Sequence, residues 1–208
     1  MRLEIPTPSG PALADIDRPR GAAAALLVLT HGAGGGVESA DVNAVRSAAL
    51  NAGIAVGRIT QPYRAAGRRS PPQAAVQDAA WLAAVAAVRR RRGFAALPLV
   101  VGGRSNGARV ACRTALASGA AAVVALAYPL HPPGRPEATR LPELDGAGVP
   151  VLVVQGDRDP FGMPPPGPLR EILVIAGADH ALRRELATVS RAVTDFVTTV
   201  AGHANVGA

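Results

Sequence analysis

Lysine is missing from this chain of 208 residues, cysteine occurs once, and aromatic side chains make up only 3% of it. All 22 basic residues are therefore arginine, set against 15 acidic ones, for a net charge of +7. Arginine does not titrate in the physiological range, so this charge is permanent. A basic balance raises nucleic acid or an anionic membrane as a partner. The arginines are scattered, however, and Phe, Tyr and Trp are too few to supply stacking platforms between them, so no nucleic acid is expected. The single cysteine, Cys112, excludes an internal disulfide and is expected to be a buried, inert thiol within a helix. Apolar runs such as Ala22 to Leu29 are far too short to span a bilayer. Pro6, Pro8, Gly10 and Pro11 interrupt any apolar signal core near Met1. These absences lead to the expectation of a cytoplasmic protein with no membrane partner.

What is present is ample apolar material, 49% of the chain. A chain of this length buries roughly 70% of its unfolded surface, and its core must be built from Ala, Val and Leu. Arg2 to Ile5 and Ala12 to Ile16 suit an edge hairpin within residues 1–20. Apolar strands are expected at Ala24 to Leu29, from Ile54, at Leu97 to Val101, Ala121 to Leu126, Val151 to Gln155 and Glu171 to Ile175. Between them lie helical stretches: one following Ser39 as N-cap, the long segment Ala74 to Arg92, one from Arg109 to Ala117, and Ala181 to Val200. Trp81, Leu82, Val85 and Val88 form one stripe of the second. The arginine run Arg89 to Arg92 complements the carbonyl end of that helix. Met163 to Pro168 is nearly all proline and glycine and cannot hold a helix, and residues 201–208 read as a frayed tail. Strands alternating with helices imply one α/β domain spanning 1–208, a mostly parallel sheet covered on both faces.

One turn organises the chemistry. Gly103-Arg104-Ser105-Asn106-Gly107 is a G-x-S-x-G sequence between an apolar strand and a helix, the setting of a nucleophile elbow. Such a turn strains the serine backbone and leaves no room for side chains two residues away, which accounts for Gly103 and Gly107. Ligands collect at the carboxyl ends of parallel strands, and that edge also receives Thr30 to Gly36, an arginine-rich loop after the strand from Ile54, His131, the Asp157-Arg158-Asp159 loop and His180. A serine hydroxyl needs an imidazole to take its proton, and the imidazole needs a carboxylate to fix its tautomer. Chain order Ser, Asp, His therefore assigns Ser105 as nucleophile and His180 as base, with Asp157 and Asp159 competing for the orienting role. The oxyanion would be held by the N–H of Asn106 and an N–H from Ala33 or Gly34. Asp179 is expected to support its loop, and His31 and His131 to pack loops. Arg64, Arg68, Arg104, Arg158 and His131 stand in or beside active-edge loops as candidate contacts to a substrate anion. No metal-ligand spacing occurs, so no metal or cofactor is expected.

The segments Thr30-His31-Gly32-Ala33-Gly34-Gly35, Gly102 to Gly107, Tyr128 to Gly134, Gln155 to Gly162 and Asp179-His180 together resemble the α/β-hydrolase superfamily, close to dienelactone-hydrolase-like proteins. Within it they are similar to the hydrolase-like family that includes a subunit of the animal non-specific-lethal chromatin complex, the testis-expressed hydrolase-like proteins and bacterial relatives. The resemblance implies that the acid is the Asp preceding Pro-Phe-Gly, which is Asp159. It also implies a serine hydrolase acting on a small ester, thioester or related acyl compound. Ala127 to Gly148, where lids of the superfamily insert, is too short for a large cap. The alternative is a noncatalytic module that keeps the fold and binds a protein partner; the complete Ser-Asp-His set argues against it.

Overall fold

The computed structural model describes residues 1–206. Arg2–Ile5 (β1) and Ala12–Asp17 (β2) pair as an antiparallel hairpin. Then follow Ala25–Thr30 (β3), Ala40–Asn51 (α1), Ile54–Thr60 (β4), Pro62–Ala65 (α2) and Ala74–Arg89 (α3). The second half runs Leu99–Arg104 (β5), Asn106–Ser118 (α4), Ala122–Leu126 (β6), Leu141–Asp145 (α5), Val151–Gly156 (β7), Arg170–Ile175 (β8) and Leu186–Val206 (α6). The eight strands form one sheet in the order β1-β2-β4-β3-β5-β6-β7-β8. β2 joins β4 antiparallel, and every pairing from β4 to β8 is parallel.

The sheet divides the core in two because strand side chains alternate faces. Leu26 and Val28 of β3 meet Trp81, Val85 and Val88 of α3 and Val110 and Ala111 of α4 on one side. Leu27 and Leu29 meet Val42 and Val45 of α1 and Val189 and Val193 of α6 on the other. Every residue of β3 is buried, the pattern of a strand covered on both faces. With so few aromatics, Trp81 is the largest fully buried side chain, and small residues close the remaining volume. Among the described residues no helix is long and apolar enough to cross a membrane.

Several boundaries differ from the sequence expectation. Ser39 precedes α1 but makes no capping hydrogen bond; its Oγ is buried without a partner. α3 stops at Arg89, so Arg90 to Arg92 continue into the turn. There Arg18 donates to the Arg92 carbonyl and stacks over Phe94 at 4.2 Å. The loops after β4 and β6 each contain one short helix, started by a proline at its first or second position, where the missing N–H costs nothing. α6 begins five residues later than Ala181 and persists through Val206, with Ala201 still buried in the core. Residues 201–206, expected as a frayed tail, are thus helical, and 207–208 lie outside the described residues.

Candidate active site

β5 delivers the chain to Ser105 and α4 takes it away at once. Ser105 sits at φ 54°, ψ −115°, a region a side chain rarely enters. Its N–H is held by the Leu126 carbonyl at 2.9 Å. The glycines on either side are required by space: a Cβ on Gly103 would lie 2.7 Å from the Thr30 oxygen, and one on Gly107 2.7 Å from the His31 oxygen.

Three segments far apart in sequence converge on the turn. Ser105 Oγ lies 2.9 Å from His180 Nε2, and His180 Nδ1 lies 2.8 Å from Asp159 Oδ2. An ionised carboxylate only accepts, so the imidazole proton belongs on Nδ1 and the Nε2 lone pair faces the serine hydroxyl. The Asp159 side chain is wholly buried and fully engaged. Its Oδ1 accepts from the Phe161 N–H at 2.9 Å, and its Oδ2 also accepts from Gln155 Nε2 at 3.0 Å. The Phe161 ring meets the His180 ring edge-on, 4.5 Å between centroids. The competing Asp157 braces a loop instead, accepting from the Gly177 N–H, and Asp179 accepts from the Ala181 N–H within its own loop.

The glycine loop after β3 lies against this centre, since a Cβ on Gly32 would come within 3.4 Å of Ser105 Cβ. His31 fixes the loop, its Nδ1 donating to the Gly32 carbonyl and its Nε2 accepting from the Gln61 N–H. Burial holds its pKa below the usual imidazole value, which keeps the ring neutral and this pairing intact. Tyr63 donates to the Ala33 carbonyl at 2.9 Å, its phenol pushed up to about 12 by burial. Among the described residues the N–H groups of Asn106, Ala33 and Gly34 donate to no other group, leaving them available beside Ser105.

The cleft over Ser105 holds about 370 Å³. It is lined by Gly32 to Gly35, Asn106 and His180, by the apolar Pro71, Pro129, Pro133 and Phe161, and by three arginines, Arg104, Arg109 and Arg140. Of the proposed substrate contacts, Arg104 alone lines it, and Arg104 is already engaged, donating to the His180 carbonyl at 2.6 Å. Arg64 is spent on the carbonyls of Gly35 and Arg68; Arg68 and Arg158 are exposed outside the cleft. His131 donates to the Ala138 carbonyl and packs against Gly162. None of these four side chains lines the cleft. Sequence reasoning missed Gln155, Phe161, Arg109 and Arg140. Arg109 lies one helical turn beyond Ser105, a spacing that could have placed it on the same face. A second hollow, about 340 Å³ between α5 and residues 165–170, contains none of the converging groups. Among the described residues no cluster of side chains fits a metal ion.

A twisted parallel sheet covered on both faces, with a serine in a left-handed strand-to-helix turn bonded to a histidine and an aspartate from later loops, defines the α/β-hydrolase fold. The sequence profile of an alpha/beta hydrolase domain family matches residues 23–192, and the chain belongs to that family. No curated protein matches it in sequence. Among solved structures it is similar to a serine hydrolase of Xanthomonas campestris described as lacking a lid (21% identity, 96% of this chain and 94% of that one, TM-score 0.77). It is also similar to Est1E from Butyrivibrio proteoclasticus (18%, 96% and 98%, TM-score 0.76) and to a dienelactone hydrolase from Anabaena variabilis (16%, 96% and 96%, TM-score 0.75). At these identities the likeness establishes a shared fold.

Proposed function

We propose that the protein is a serine hydrolase that cleaves a small ester, thioester or related acyl compound through an acyl-enzyme. The carrying observation is the unbroken hydrogen-bonded chain from Ser105 through His180 to Asp159, at 2.9 and 2.8 Å. Ser105 Oγ attacks the acyl carbonyl while its proton passes to His180 Nε2; the imidazolium is stabilised by Asp159. The Asn106 N–H with that of Ala33 or Gly34 receives the oxyanion, each such donor contributing typically 10² to 10³ in rate. The tetrahedral intermediate collapses, the alcohol or thiol departs with the proton from His180, and water repeats the sequence to release the acid and restore the serine.

The modest open cleft supports small substrates. The similar structures include a serine hydrolase and a dienelactone hydrolase, and a carboxylesterase or dienelactone-hydrolase-like class is the finer reading adopted. Within the superfamily we place the chain near the hydrolase-like group that includes the chromatin-complex subunit, on Gly103-Arg104-Ser105-Asn106-Gly107 and Asp159-Pro160-Phe161-Gly162.

A fluorophosphonate probe tests the assignment. Wild type should be labelled, and Ser105→Ala and His180→Ala should not, with p-nitrophenyl acetate turnover lost in parallel. A folded wild type that neither takes the label nor turns over a series of p-nitrophenyl esters would be the noncatalytic binding module instead.

A further inference from the structure

The three arginines that line the cleft are not equivalent. Arg104 is paired with Asp41, and Arg109 forks onto Glu143. Among the described residues Arg140 has no carboxylate partner at all. Its Nη1 donates to the carbonyls of Pro129 and His131, both at 3.2 Å. One nitrogen carries two protons, and these bonds use both. The opposite edge of the fork, Nε with Nη2, bonds nothing in the chain, and neither atom is sealed in the interior. That edge presents two parallel N–H groups, the spacing that a carboxylate takes with both oxygens. Burial, and then the neighbouring Arg109 charge, push the guanidinium below its usual range and outweigh the more distant pull of Glu143.

We propose that the free edge of Arg140 is a carboxylate-binding subsite, and that the preferred substrate is a small ester whose non-reacting end carries a carboxylate. This deepens the hydrolase reading and rests on it. Pro71, Pro129, Pro133 and Phe161 would enclose the carbon skeleton between the scissile ester at Ser105 and the anion at Arg140. The carbonyls already held by Nη1 fix the guanidinium plane, so the anion meets a preorganised fork rather than a mobile side chain.

Two ester pairs test the subsite on the full chain. Monomethyl adipate against dimethyl adipate places the charge on the acyl side, and 4-acetoxybenzoate against its methyl ester places it on the leaving group. Each kcat/KM is divided by that ester's rate with hydroxide. Wild type should favour the charged member of at least one pair by roughly tenfold or more, the size of a charge-assisted hydrogen bond. Arg140→Gln should abolish that preference, Arg140→Lys retain part of it, and Arg158→Gln, outside the cleft, leave it as in wild type. No charge preference in either pair, or one that survives Arg140→Gln, would overturn the proposal while leaving the hydrolase reading intact. Calorimetric binding of monomethyl adipate to Ser105→Ala, expected to vanish in Ser105→Ala/Arg140→Gln, reads the subsite without turnover. Binding of that kind with no turnover by wild type would sink the hydrolase reading and keep the subsite.

Discussion

Arg104 Nε stands 3.0 Å from Asp41 Oδ2, an ion pair across the junction of the elbow and α1. The contact is electrostatic: the N–H does not point at the oxygen, so the two atoms attract without a hydrogen bond. Asp41 is completely buried, its other oxygen accepting from the Val42 N–H. The same guanidinium donates through Nη2 to the His180 carbonyl. One side chain therefore ties the residue before the nucleophile to the loop that carries the base.

Removing it should separate positioning from binding. Arg104→Met is expected to lower kcat by about 10²-fold through displacement of His180, with little change in KM for p-nitrophenyl acetate. It also strands a buried carboxylate, a loss of up to about 3 kcal/mol in urea unfolding. Arg104→Met/Asp41→Asn should recover most of that stability and none of the rate. An unchanged kcat in Arg104→Met would show that the clamp does not place His180.

Gly107→Ala sets local preference against packing. Alanine in a helix normally gains about 0.5–1 kcal/mol over glycine, yet here its Cβ would meet the Thr30 and His31 carbonyl oxygens at 2.8 and 2.7 Å. Overpacking of that kind costs about 1–3 kcal/mol. The variant should melt below wild type and react more slowly with the fluorophosphonate. A higher melting temperature would mean that β3 and α4 can separate freely.

Gln155 is completely buried, and the two protons of its Nε2 are shared among Asp159, the Tyr128 carbonyl and the Gly162 carbonyl. It holds the carboxylate that holds the imidazole. Gln155→Leu should reduce kcat by roughly tenfold to a hundredfold, since a buried charged acceptor loses a donor. Gln155→Glu should be worse near neutral pH, because two adjacent buried carboxylates share a proton. Its pH–rate profile should be displaced from that of wild type; superimposable profiles would show that Gln155 does not act on Asp159.

The fold was legible where one periodicity dominated. β3, β5, β6 and β7 are each built on a short apolar run between glycine and proline signals, and each is a buried strand except at Arg104, the last residue of β5. The elbow was legible because only glycine fits at Gly103 and Gly107, and the order Ser105, Asp159, His180 follows the strands that carry them. The arginines lining the cleft were not. Arg64, Arg68 and Arg158 sit in loops beside the site, but loop proximity does not fix direction, and their side chains are spent on carbonyls or exposed outside the cleft. Arg140 reaches the cleft because the Tyr128 hydroxyl bonds the Arg140 carbonyl and folds that loop back over β6, a tertiary bond with no local signature.

Acid should expose a further dependence. Burial raises the Glu143 carboxyl, but hydrogen bonds and charge from Arg109 and Arg113 outweigh it and the net shift is downward. A carboxyl lower in the folded than the unfolded state stabilises fully above its unfolded value of about 4.3, and that stabilisation is lost as pH falls through the folded value. Glu143→Gln should therefore melt several degrees below wild type at pH 7, with the gap closing under acid. A gap that stays constant with pH would assign the loss to packing.

Between β6 and β7 the described chain carries only the five-residue α5, and the cleft over Ser105 is open to solvent. An acyl group parked on that serine would face bulk solvent. On the hydrolase reading proposed above, water would reach it without any segment having to swing aside.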